Sequence, residues 1–200
     1  MDYSQFTPMQ LDALKEVSNI GAGNAATALS SLLNKKVDMT VPSVNVIPLE
    51  SVFTKIDAEK IAVGVIVRVL GDTPGNILFI FEKEIAFDII KTLTGTQEEE
   101  LSEMGASVVA EIGNIISASY MNAISRFTNL TITPSVPAVS YDMMAAILST
   151  SFIEAGQFDD NVLDFETEFL QEDLNKISGH FYYIPMPGSL EKILNTLGVN

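Results

Sequence analysis

Two ten-residue stretches decide how this chain is read: Leu11-Asp12-Ala13-Leu14-Lys15-Glu16-Val17-Ser18-Asn19-Ile20 and Ala106-Ser107-Val108-Val109-Ala110-Glu111-Ile112-Gly113-Asn114-Ile115. They lie 95 residues apart. Glu16, Asn19 and Ile20 recur as Glu111, Asn114 and Ile115, and Val17 is matched by Ile112. At the same offset, with no gap, Ala28, Ser30 and Asn34 recur as Ala123, Ser125 and Asn129. Val41, Pro42 and Val44 recur as Val136, Pro137 and Val139. The chain reads as an internal duplication.

Each stretch lies in a long helical pattern. The first runs over about residues 8–33. Thr7 is a good N-cap, Pro8 suits the first helical position, and Gln10 completes a capping box. The second runs over about residues 102–127. On a 3.6-residue helix, Asp12, Glu16 and Asn19 share one face, with Leu14, Ser18, Gly21, Ala25 and Leu32 roughly opposite. In the second copy Ser107, Glu111 and Asn114 share a face, while Val109, Ile116 and Tyr120 point to the core. Leu14, Ala25 and Leu32 are expected to be buried, with Gly21 allowing close approach. The polar face is expected to be exposed in both copies.

Strand-like sequence follows each helix. Residues 60–70 and 76–81 flank the turn-rich Gly71-Asp72-Thr73-Pro74-Gly75 and read as a hairpin. In the second half residues 145–154, 162–170 and 179–185 read as strands, with longer connections at 156–161 and in the acidic segment 171–175. Short helices at 84–93 and 189–197 close the halves. The expected fold is α+β: a single domain over 1–200, built of two pseudo-two-fold-related helix/strand repeats, about 1–100 and 101–200. Its sheet is mainly antiparallel and its two long helices carry the sites.

Composition narrows the chemistry. There is no cysteine, which removes thiol nucleophiles, disulfides and zinc–thiolate clusters. The one histidine, His180, precedes Phe181, Tyr182 and Tyr183 in a strand pattern, so a multi-histidine metal site is out of reach. The formal charge of −15 disfavours nucleic acid and anionic lipid, and favours a partner that presents a lysine. The longest apolar stretch, about 61–70, contains Arg68 and is too short to span a bilayer. Residues 1–4 show no basic signal region. A cytoplasmic protein without membrane insertion is expected.

An asparagine inside a helix is mildly unfavourable, because its amide competes for the backbone. Here it stands with glutamate at one spacing in both copies, while the neighbouring pairs Lys15/Ala110 and Asn24/Ser119 differ. Solvating an amphipathic helix does not require that.

Asp or Ser, three residues, Glu, two residues, Asn, twenty-two residues and Pro occurs twice: first as Asp12, Glu16, Asn19 and Pro42, then as Ser107, Glu111, Asn114 and Pro137. This resembles the signature of the CheC family of chemotaxis phosphatases, which act on the phosphorylated response regulator CheY. The resemblance covers essentially the whole chain. The relative CheX has one site per chain, and FliY adds a flagellar-switch domain. The resemblance implies that Asn19 and Asn114 orient the attacking water and that Glu16 and Glu111 pair with the regulator's lysine. Asp12 and Ser107 would support the helix or touch the partner, and Pro42 and Pro137 would shape the turn into the next strand. No cofactor of its own is implied. Mg²⁺ belongs to the regulator, and the receptor deamidase CheD is a second expected partner. Two other readings stay open: a non-catalytic adaptor for a receiver domain or CheD, and a two-carboxylate hydrolase using Glu16 and Glu111. The latter leaves the asparagines without a role, and the chain has no tryptophan for a sugar platform.

Overall fold

The computed structural model describes residues 7–40, 43–55, 57–154, 161–166, 169–171, 176–177 and 180–198. Pro42 lies outside them, as do most of the connections at 156–161 and 171–175. In chain order the elements are α1 (Pro8–Leu33), β1 (Val37–Met39), β2 (Ser43–Pro48), α2 (Leu49–Lys55), β3 (Ile61–Gly71), β4 (Gly75–Glu82) and α3 (Lys83–Thr94). There follow α4 (Glu103–Thr128), β5 (Ile132–Pro134), β6 (Ala138–Met143), α5 (Met144–Glu154), β7 (Asn161–Glu166), β8 (Phe169–Gln171), β9 (Lys176–Ile177), β10 (His180–Pro185) and α6 (Ser189–Thr196).

Both long helices start where their caps dictate. Thr7 Oγ1 accepts the Gln10 amide N–H while Gln10 Oε1 accepts the Thr7 amide N–H, which completes the capping box on α1. On α4, Ser102 Oγ accepts from Gly105 N and in turn donates to Glu98. Both helices end on asparagine in the left-handed region, Asn34 at φ 50° and Asn129 at φ 53°. A short polar side chain tolerates that conformation better than most.

The main sheet runs β2-β7-β10-β4-β3-β5, with β6 also on β3, and every pairing is antiparallel. A smaller sheet runs β1-β8-β9. The copies interleave: β2 from the first pairs with β7 from the second, and β6 from the second pairs with β3 from the first. They meet at β10 and β4, where Phe181 is the cross-strand partner of Phe79 and the rings stack with centroids 4.6 Å apart. A pseudo-two-fold along the sheet normal passes between these rings. It exchanges α1 with α4, β2 with β6, and β3 with β7. The offset of 95 holds through β1/β5 and β2/β6 to the first residues of α2 and α5.

Three layers result. Ile77, Phe79 and Phe81 of β4, with Phe181 and Tyr183 of β10, bury one face against α1, α4, α3 and α6. Leu78, Ile80, Tyr182 and Ile184 bury the other face against α2 and α5. The middles of the two central strands, residues 77–81 and 181–184, are therefore continuously apolar or aromatic, not alternating.

One element differs from the sequence reading. Residues 145–154, read as a strand, lie in helix α5. Its buried residues are Met144, Ile147, Leu148, Ser151 and Phe152, the i, i+3, i+4, i+7, i+8 series of a helix. The serines and threonine between them hid that period. The counterpart α2 was not anticipated either. On α1, Leu32 is half-buried, and Leu29 and Leu33 make the buried contacts at that end.

Candidate active site

The site residues are carried by the α1/α4 layer. The helices touch where Gly21 meets Tyr120: a β-carbon at Gly21 would lie 3.0 Å from the Tyr120 Cα and ring. The pseudo-two-fold makes the pair antiparallel. Glu16, five residues before Gly21, is then level with Ser125, five residues after Tyr120. Glu111 lies fourteen residues before Ser125, roughly 21 Å away along the axis at 1.5 Å per residue. The two carboxylates cannot act on one bond, which needs them within about 10 Å. The two Glu–Asn pairs therefore lie on separate stretches of the helix layer.

The carboxylates and the buried faces fall as the spacing predicts, but the two asparagines are less exposed than expected. Asp12, Glu16, Ser107 and Glu111 are exposed, and Asn19 and Asn114 are half-buried. Opposite them Leu14, Ser18, Gly21 and Ala25, and Val109, Ile116 and Tyr120, are buried. Gly113 sets α4 down on the sheet. A β-carbon there would lie 2.5 Å from Val65 Cγ1, so only glycine permits this approach. Val65 pairs with Val139, two residues past Pro137, and α4 contacts β6 directly. The half-buried Pro137 thus lies in the turn leading to the strand beside the Gly113–Asn114 turn of α4. The sequence reading did not single out Gly113. Its signal was a glycine inside an otherwise helical pattern, where it costs helix stability unless close packing requires it.

Hydrogen bonding sorts the repeated residues. Ser30 Oγ donates to Ala26 O (2.7 Å) and accepts from Val37 N (2.9 Å), tying the end of α1 to β1. Ser125 Oγ donates to Leu130 O (2.6 Å) at the matching corner. Asn34 and Asn129 close the helices. Val44 and Val139 pack on the core. Those repeats have structural uses. Glu16, Asn19, Glu111 and Asn114 have none: among the described residues they make no hydrogen bond or ion pair. The third position differs between copies. Ser107 Oγ donates to its own helix at Glu103 O (2.9 Å), whereas the Asp12 carboxylate is unpaired. Among the described residues no three His, Cys, Asp or Glu side chains converge to hold a metal.

A free carboxylate and a half-buried free amide, three residues apart on an exposed helix face, suit an incoming cation and a water or other small polar group. The model of the CheC-like family matches the chain twice, over residues 9–46 and 104–141. Each match spans one complete set of site positions. The CheY-P phosphatase CheC of Bacillus subtilis is 32% identical over 198 residues, covering 96% of this chain and 95% of that protein. This chain belongs to the CheC-like family. Another member-like relative, the flagellar motor switch phosphatase FliY of B. subtilis, is 32% identical over 142 residues, 69% of this chain and 37% of FliY. Among solved structures, Thermotoga maritima FliY superposes on this CheC-like fold with a TM-score of 0.80 at 26% identity, covering 96% of this chain and 98% of that one.

Proposed function

We propose that the chain hydrolyses the aspartyl phosphate of a CheY-type response regulator, once at each site. The observation that carries this reading is that Glu and Asn recur in both copies, exposed or half-exposed, with no partner among the described residues. The name of the B. subtilis relative, a CheY-P phosphatase similar over 96% of this chain, points to the same substrate.

An acyl phosphate is intrinsically reactive, so positioning suffices. The receiver would hold the Mg²⁺ and the lysine that neutralise the phosphoryl oxygens, leaving this chain to place the water. Docking an α1 or α4 face brings Glu16 or Glu111 to that lysine and fixes the register. Asn19 or Asn114 then accepts a hydrogen bond from a water through its amide oxygen and holds that water in line with phosphorus. The water oxygen bonds to phosphorus as the bond to the aspartate oxygen breaks. Aspartate leaves as carboxylate, and the water's two protons pass to the released phosphate, from which they exchange with solvent. No side chain of this protein has to titrate, consistent with a site built without histidine.

Ser107, bonded to its own helix, supports α4, while the free Asp12 adds a charge that faces the partner. Pro137, and Pro42 by the repeat, shape the turn into the following strand. Substrate and enzyme meet in the cytoplasm. The test is phosphate release from purified, phosphorylated CheY-type receiver at catalytic amounts of this chain. Release over many turnovers supports a phosphatase, and stoichiometric binding without release supports an adaptor.

A further inference from the structure

The repeat carries a second exposed feature that the Glu–Asn pairs do not explain. Met9 and Met104, also 95 residues apart, are 68% and 64% exposed. Each stands in the first turn of its helix and belongs to neither core cluster. Met9, Asp12, Glu16 and Asn19 are spaced three, four and three residues apart, and so are Met104, Ser107, Glu111 and Asn114. That spacing keeps each methionine on the face of its own site.

Distance places it within reach of a docked partner. Ten residues separate each methionine from its asparagine, roughly 15 Å along the helix. A standard protein interface covers about 800 Å² per partner, a disc of roughly 16 Å radius. A receiver centred on the asparagine therefore covers the methionine at its rim. Methionine is flexible and polarizable, and is enriched at interfaces. One exposed methionine per helix face offers far less apolar area than a stable dimer of this chain would use.

We propose that Met9 and Met104 are docking contacts for the phosphorylated receiver, each packing on an apolar spot beside its phosphorylation site. The proposal rests on the phosphatase reading and adds to it. The two anchors differ in kind. The glutamate contact is electrostatic and weakens with salt, and the methionine contact is apolar and does not.

The test is steady-state dephosphorylation of a phosphorylated CheY-type receiver by the full chain and by Met9→Ala with Met104→Ala. Alanine is a strong helix former, so α1 and α4 persist. KM is expected to rise about fivefold or more, as for a moderate interface contact, with kcat within about twofold. The salt dependence of KM should match the parent, and Met→Leu at both positions should restore KM. A KM within about twofold of the parent overturns the proposal. So does a parallel fall in kcat, or a change in oligomeric state with KM unchanged, which would assign the methionines to self-association. Absent turnover in the unsubstituted chain defeats the phosphatase reading and this inference together. Normal parent turnover with an unchanged KM in the variant defeats the methionine contact alone.

Discussion

Gly21 of α1 rests directly on Tyr120 of α4, so close that a β-carbon at Gly21 would stand 3.0 Å from the tyrosine Cα, Cγ and Cδ1. The contact fixes the antiparallel register of the two helices, and with it the separation of the two sites. Gly21→Ala must push the helices apart, and is expected to destabilise the protein by about 1–3 kcal/mol, the usual range for overpacking. Gly23, two residues on, has open space where its side chain would be. Gly23→Ala should instead stabilise by roughly 0.5–1 kcal/mol through helix propensity. Urea unfolding of the two variants checks the opposite signs.

The glutamates are predicted to act in docking. Glu16→Gln with Glu111→Gln should raise KM for the phosphorylated receiver roughly tenfold or more, as loss of one side of a hydrogen-bonded charge pair does. The variant should also lose most of the salt dependence of KM seen in the parent. Initial rates over a range of ionic strength measure both effects.

The two sites should differ at their third position. With Asn114→Ala leaving only the first site active, Asp12→Ala should raise KM, most clearly at low salt, if its carboxylate, unpaired among the described residues, faces the docked receiver as proposed. With Asn19→Ala leaving only the second, Ser107→Ala should leave KM unchanged, because Ser107 is bonded to Glu103 O in its own helix.

Asp72 ties the β3–β4 turn to the second copy. One carboxylate oxygen accepts from Thr131 N at 2.8 Å and the other from Lys192 Nζ at 2.6 Å. The Lys192 hydrogen bond, then that from Thr131, holds its pKa below the ordinary carboxylate value. A depressed carboxylate pKa stabilises the fold above the unfolded-state pKa, and that contribution is lost as pH falls through the folded-state value. Asp72→Asn should therefore lower the thermal midpoint at neutral pH. The difference from the parent should shrink as pH drops below the carboxylate range. Melting curves at pH 7 and in the acid range compare them.

Much of this was legible in the sequence because the duplication did the work of an alignment. The start of α1 followed from Thr7, Pro8 and Gln10, whose capping chemistry is local, whereas the cap at Ser102 emerged only with the structure. The polar faces followed from spacing alone. The strand pairing was not legible: β2 and β6 are exchanged between copies, and nothing local in Val44 or Val139 says which hairpin each will join. Helix α5 was misread because Ser149, Thr150 and Ser151 weaken its pattern, although its first residue sits at the same offset as that of α2. The spacing showed Glu16 and Asn19 on one face. That they lack a partner among the described residues needed the packed structure, where Ser30 and Asn34, equally repeated, turn out to be spent on helix ends.

The central claim is that two separate amides, Asn19 and Asn114, each orient a hydrolytic water. It is tested most directly by dephosphorylation rates against receiver concentration for Asn19→Ala, Asn114→Ala and the double variant, with folding checked by circular dichroism. Each single variant should keep the activity of the other site. The double variant should remain folded and still bind the receiver, with kcat lower by on the order of a hundredfold or more, as for loss of other preorganised polar contacts to a transition state. A folded double variant that retains near-parental kcat would contradict the account.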